Sequence, residues 1–168
     1  NELPMKSKLH STRNDLPEKS RREAIDLLNQ HLAEAIDLGL QAKQAHWNVK
    51  GPNFIGLHEL FDKVAEEVED FTDEIAERAV ELGGMAQGTL QAVAGQSKLH
   101  PYPLDLVSGK AHVAELAGAL ARFGASVRAA IETANAFGDA DTADLYTQVS
   151  RGVDKLLWMV EAHVQAND

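Results

Sequence analysis

The chain has 168 residues, a formal net charge of −10 at pH 7, 44% hydrophobic and 25% charged residues, and no cysteine. That length suits one domain with a substantial core; the acidic balance suits cations as partners and excludes a surface that grips nucleic acid throughout. Without thiols there are no disulfides, iron–sulfur clusters or thiol catalysis, so any metal must sit on His, Asp and Glu.

No apolar run reaches the roughly 18 residues that a membrane span needs, so a cytoplasmic protein with no membrane partner is expected. Residues 1–16 read as a basic N-terminal arm and residues 17–168 as the folded domain. The first 22 residues hold six basic side chains (Lys6, Lys8, Arg13, Lys19, Arg21 and Arg22) against three acidic ones.

A first helix is predicted from about Pro17 to Lys50, with an apolar seam of Ile25, Leu28, Leu32, Ala35, Gly39 and Ala42. The next step on that seam is His46. Pro17 suits a first helical turn, and Gly51-Pro52 stops the helix. A second helix runs from about Asn53 to Leu82 and closes at Gly83-Gly84, with Leu57, Phe61, Val64, Val68, Phe71, Ile75 and Leu82 along its seam. About two dozen residues follow before the next helix, too many for a hairpin, and within them "GTLQAVAGQ" suits a short extra helix. A third long helix is predicted from about Ser108 to Phe137 and a fourth from about Thr142 to Gln165, with Asp141 as its N-cap and Asp144 as the acidic partner three residues on. No strand-like alternation competes. The expected fold is all-α, a four-helix bundle with a long crossover between the second and third long helices.

Chemistry concentrates in "QAHWNVKGPNFIGLHELFD", residues 44–62. His46 precedes the Gly-Pro break; His58 and Asp62 follow it, one helical turn apart. The second helix carries ten acidic residues against two basic ones between Asn53 and Gly84. An acidic face is often only solvated, but His58, Asp62, Glu66, Glu69, Asp73 and Glu77 follow one stripe. At 1.5 Å per residue, Asp62 and Asp73 lie roughly 16 Å apart along the axis. Ligands sit about 2 Å from a metal, so one site cannot use both ends. Nor does the chain contain the Glu-x-x-His pairs with which a bundle closes a di-iron site by itself. Two antiparallel copies of the second helix, related by a two-fold axis near residues 67 and 68, would set 58 against 77 and 62 against 73. The spacing therefore predicts two identical sites shared between chains, each with His46, His58 and Asp62 from one and Asp73 and Glu77 from the other. Two imidazoles and three carboxylates suit iron, manganese or zinc. Trp47, beside a ligand, and Trp158 are candidate electron donors to an oxidant; Trp158 also reads as bundle packing.

"TRNDLP", "KQAHWNVKGPNF", "LHELFD", "DEIAERAVELGG", "YPLD", "DTAD" and "VDKLLW" resemble the DNA-binding protein from starved cells (Dps) family of ferritin-like mini-cages over about residues 11–163. The resemblance implies a hollow homo-dodecamer that oxidises Fe(II) with hydrogen peroxide or dioxygen and stores ferric mineral. It places the metal ligands at His46, His58, Asp62, Asp73 and Glu77, across a two-fold interface, with iron there and zinc or manganese as alternatives. It also implies acidic rings at three-fold pores, for which Asp139, Asp141 and Asp144 are the candidates, and DNA binding independent of sequence, for which Lys6, Lys8 and Arg13 in the arm are. Gly152 departs from the family pattern, at an expected cost of about 1 kcal/mol of helix propensity relative to Ala. Two other readings stand beside this one: a nucleoid-compacting protein whose metal site is vestigial, and a purely structural helical oligomer.

Overall fold

The computed structural model describes residues 8–166. Helix α1 spans Glu18–Asn48, α2 Phe54–Glu81, α3 Leu90–Gln96, α4 Gly109–Ala136 and α5 Ala140–Glu161, followed by one 3-10 turn over Ala162–Val164. No strand occurs among the described residues; Lys50 and Ser108 form an isolated bridge. That bridge brings the end of α1 to the start of α4, so the two helices run antiparallel. The four long helices form the bundle, α1 packing chiefly on α2 and α4 on α5. The short α3 lies in the crossover and is capped by Thr89, whose side chain accepts from the Ala92 N–H.

The seams predicted from 3.6-residue periodicity are the core. Leu28, Leu32, Phe61, Ile75, Leu116, Leu120, Phe123 and Leu156 are all fully buried. Each contributes roughly 1.5–3 kcal/mol by leaving water. The crossover backbone needs hydrogen-bond partners, and polar side chains of α1 provide several. Asn29 bonds the Met85 carbonyl and the Gln87 N–H, Gln30 the Gln96 carbonyl and Gln41 the His100 carbonyl, while Asp37 accepts from the Ser97 hydroxyl at 2.6 Å.

Three local readings of the sequence change. The N-cap of α5 is Asp139, not Asp141: an Asp139 carboxylate oxygen accepts from the Thr142 N–H at 3.0 Å, and the helix starts at Ala140. The arm is pinned from Leu9 onward. The His10 N–H bonds the Gly83 carbonyl at 2.8 Å, Leu9 and Leu16 pack on the core, and Arg21 ties the Leu16 and Leu82 carbonyls. Gly83 makes this possible, because its φ is +94° and a Cβ there would come within 2.6 Å of the His10 carbonyl oxygen. Gly152, finally, is not merely a propensity cost. A Cβ there would collide with the ring of Phe71, so the glycine lets α2 and α5 close on each other.

Candidate metal centre

The corner between α1 and α2 is fixed by backbone bonds. The Lys50 N–H reaches the Val107 carbonyl at 2.9 Å, and the Gly109 N–H reaches the Lys50 carbonyl at 3.1 Å. The turn brings the last turn of α1 against the first turns of α2, and the rings of His46 and His58 stack with centroids 3.8 Å apart at 16°. The two histidines clasp each other. His46 Nδ1 lies 2.6 Å from the His58 carbonyl oxygen, and His58 Nδ1 lies 2.7 Å from the His46 carbonyl oxygen. A carbonyl only accepts, so both Nδ1 atoms carry the proton and donate. In the neutral imidazole this tautomer leaves the lone pair on Nε2, the form in which the ring binds a metal. His46 Nε2 stands 3.9 Å from an Asp62 carboxylate oxygen. Phe54 covers the other face of His58 at 5.0 Å between centroids.

Lys43 completes this cluster and was not anticipated. Its ammonium donates to Asp62 Oδ1 at 2.5 Å and lies 5.9 Å from the centroid of the Trp47 ring. The hydrogen bond from Lys43 holds the Asp62 carboxyl below the usual carboxylate range, against the opposing effect of partial burial. Asp62 is therefore ionised at neutral pH and ready to bind a cation.

The other half of the stripe looks different. Asp73 and Glu77 are exposed on α2, and no side-chain hydrogen bond or ion pair holds either. Among the described residues, no three His, Asp or Glu side chains within this one chain are arranged to hold a metal ion. The structure stacks His46 on His58 and sets His46 near Asp62 without closing a metal site, and Asp73 and Glu77 make no side-chain contact with them.

The remaining candidates separate as well. Asp139 is buried, accepting from Arg78 Nη2 at 2.9 Å and from the Thr142 hydroxyl at 2.5 Å, so its carboxylate serves the α2–α5 junction. Asp141 and Asp144 are exposed at the start of α5. Lys8 and Arg13 are exposed, while Lys6 lies outside the described residues. Trp47 and Trp158 are 63% and 60% exposed on the single chain, which sets both apart from the core aromatics.

The model of the ferritin-like domain family matches residues 25–167. The chain is 46% identical over 158 residues to a DNA protection during starvation protein of Agrobacterium fabrum, covering 94% of this chain and 98% of that one. Its backbone resembles a Mycobacterium smegmatis Dps with a TM-score of 0.89 at 33% identity, covering 93% of this chain and 95% of the other. It also resembles DpsA14 from Streptomyces coelicolor with a TM-score of 0.90 at 32% identity, covering 96% and 95%.

Proposed function

The chain belongs to the Dps family of ferritin-like proteins, and from that premise we propose that it is a ferroxidase and iron-storage subunit. Its substrate is Fe(II), oxidised at sites shared between two copies of the chain and stored as ferric mineral inside a homo-oligomeric cage, the dodecamer of the family resemblance. The observation that carries this reading is the His46–His58 clasp, which turns both imidazoles into Nε2 ligands beside an ionised Asp62.

Each site takes Nε2 of His46 and His58 and the Asp62 carboxylate from one chain, with Asp73 and Glu77 from the other. The hard carboxylates and borderline imidazoles suit Fe(II). Two iron atoms held together supply both electrons that a peroxide molecule needs, so no hydroxyl radical is released. Lys43 keeps Asp62 charged and oriented until the cation arrives, then must release it. Trp47, next to His46 in sequence, is a proposed electron donor to the oxidant. Asp141 and Asp144 are the proposed pore carboxylates, whose field favours a divalent cation; Asp139 is left out because Arg78 and Thr142 occupy it.

The name of the Agrobacterium relative concerns DNA protection, and removing Fe(II) together with peroxide is one way to achieve it. Direct DNA contact is assigned to Lys6, Lys8 and Arg13, through salt-sensitive phosphate contacts multiplied around a cage. The alternative, a DNA-compacting protein with a vestigial metal site, is disfavoured by the mutual Nδ1–carbonyl clasp of the two histidines.

The test is anaerobic loading with Fe(II) followed by stopped-flow mixing with peroxide or dioxygen. Oxidation much faster than that of free iron, consuming two Fe(II) per peroxide, is expected. Oxidation no faster than iron in buffer would overturn the ferroxidase reading and leave the DNA-compacting one.

A further inference from the structure

The chain has two tyrosines, and each lies against a buried histidine. The two pairs differ in who holds the proton. The Tyr102 oxygen lies 2.7 Å from His112 Nδ1, and His112 Nε2 lies 3.0 Å from the Leu106 carbonyl. The carbonyl can only accept, so Nε2 carries the hydrogen and Nδ1 offers a lone pair to the phenol. Tyr102 therefore donates to a base. In the second pair, His31 Nδ1 faces both the Leu27 carbonyl at 3.0 Å and the Tyr146 oxygen at 2.9 Å, while its Nε2 meets the Ser126 hydroxyl at 2.9 Å. Here the carbonyl puts the hydrogen on Nδ1, and Tyr146 faces a donor.

Tyr102 is also connected to the metal cluster. Its ring stacks near that of His112, with centroids 5.9 Å apart at 16°, and His112 lies 6.4 Å from the ring of Phe61. Phe61 immediately precedes Asp62. Phe61, His112 and Tyr102 are all buried, so the connection runs through protein rather than water.

From this geometry we infer that Tyr102 is a one-electron donor to the iron site, with His112 Nδ1 as the acceptor of its phenolic proton. The inference rests on the ferroxidase reading, which supplies both the iron site and its oxidant. When a site holds a single Fe(II), peroxide takes one electron from it and yields Fe(III), hydroxide and a hydroxyl radical. Tyr102 supplies the missing electron. The hydroxyl radical becomes a second hydroxide, Tyr102 becomes the neutral phenoxyl radical, and its proton moves to His112, which becomes an imidazolium still donating to Leu106. Fe(II), peroxide and the Tyr–His pair thus give Fe(III), two hydroxides, the phenoxyl radical and the protonated imidazole, with atoms and charge balanced. A buried phenol needs this arrangement. Burial pushes the Tyr102 hydroxyl well above its usual range, so it does not ionise beforehand, and a proton leaving with the electron avoids a cationic radical in an apolar setting. Burial lowers the His112 pKa, so the ring is neutral at rest, and the opposing hydrogen bond to the Leu106 carbonyl favours the imidazolium once the proton arrives.

The test has two arms read by electron paramagnetic resonance. In one, protein loaded with one Fe(II) per site is freeze-quenched with peroxide. In the other, azide radicals generated by pulse radiolysis oxidise the iron-free protein, so that the readout does not depend on iron chemistry. A tyrosyl signal is expected in both, lost in Tyr102→Phe, retained in Tyr146→Phe, and lost in His112→Gln, whose amide fills similar space but is not a base. Circular dichroism confirms that each variant is folded, and Tyr102→Phe removes only one oxygen. A tyrosyl signal that survives in folded Tyr102→Phe, or no tyrosyl signal from the native chain in the azide arm, overturns the assignment. A signal in the azide arm with no iron oxidation in the other would leave the Tyr102–His112 pair standing and sink the ferroxidase reading instead.

Discussion

The two ends of helix α2 hold their proposed ligands in different states. At the N-terminal end, His58 is fixed by the His46 carbonyl, by ring stacking on both faces and by the packed corner below it; Asp62 is held by Lys43. At the C-terminal end, Asp73 and Glu77 stand exposed without a side-chain partner, placed only by their helix. On the proposed reading of a site shared between two chains, the contrast gives the way the work would be divided. The imidazoles need a defined tautomer and ring plane, which are costly to leave to chance, so one chain sets them in advance. The carboxylates are two-oxygen acceptors that tolerate several approach angles, and a second chain can deliver them on a bare helix face.

The largest expected effect comes from the fixed end. His58→Ala should reduce the initial rate of Fe(II) oxidation by more than the roughly 10–100-fold cost of losing a residue that merely orients a ligand. Glu77→Gln, which keeps one oxygen acceptor, should be milder. Stopped-flow absorbance measures both, and equal losses would erase the distinction between the two ends.

Gly152→Ala comes next. Replacing glycine within a helix gains about 1 kcal/mol of propensity, whereas forcing a methyl into a packed contact costs about 1–3 kcal/mol. With Phe71 in the way, the balance is predicted to be destabilising, lowering the thermal midpoint by a few degrees. Phe71 lies two residues before Asp73, so the damage should fall on the carboxylate end. A midpoint that rises would show that Phe71 moves aside freely.

Lys43→Met tests the fixed end more finely. The ammonium competes with a metal for Asp62 and repels it, but the site is partly exposed and screened. Removing the charge should tighten binding of Co(II), a redox-stable substitute, by up to about tenfold. Weaker binding would mean that Lys43 matters more for orienting Asp62 than for opposing the cation.

The smallest effect concerns the core that carries both ends alike. Burial is the main cause that lowers the pKa of His31 and of His112 below the imidazole value. Both stay neutral in the folded chain, while the unfolded chain takes up protons on them below about pH 6.5. Stability is thus complete above that value and declines as pH falls from there toward the folded-state pKa values. Thermal melting should shift down modestly between about pH 7 and pH 5.5; a flat profile would contradict buried neutral imidazoles.

Much of this was legible in the sequence. The long helices follow from apolar periodicity because each runs for 22 to 31 residues, long enough to outweigh local propensity. That one metal site cannot use both ends of the stripe within one chain follows from helical rise alone. What escaped depends on contacts between distant positions. Lys43 and Asp62 are 19 residues apart on different helices, and no spacing rule joins them. Gly152 read as a defect because Phe71, the ring that requires it, is far away in sequence. Asp139 and Asp141 are chemically identical cap candidates two residues apart; Arg78, from α2, is the partner that buries Asp139. The anchoring of Leu9, His10 and Leu16 on the domain escaped because Gly83, which holds His10, lies at the far end of α2.

The division of the site between chains is tested most directly by complementation. Subunits carrying His58→Ala and Asp62→Ala are mixed with subunits carrying Asp73→Ala and Glu77→Ala, under conditions that exchange subunits, and hybrid formation is followed by mass spectrometry. Each parent alone should be inactive in Fe(II) oxidation. In a two-fold hybrid, one of the two shared sites receives every native ligand, so activity should return in proportion to the hybrid fraction. Hybrids that form and remain inactive would contradict a site built from two chains.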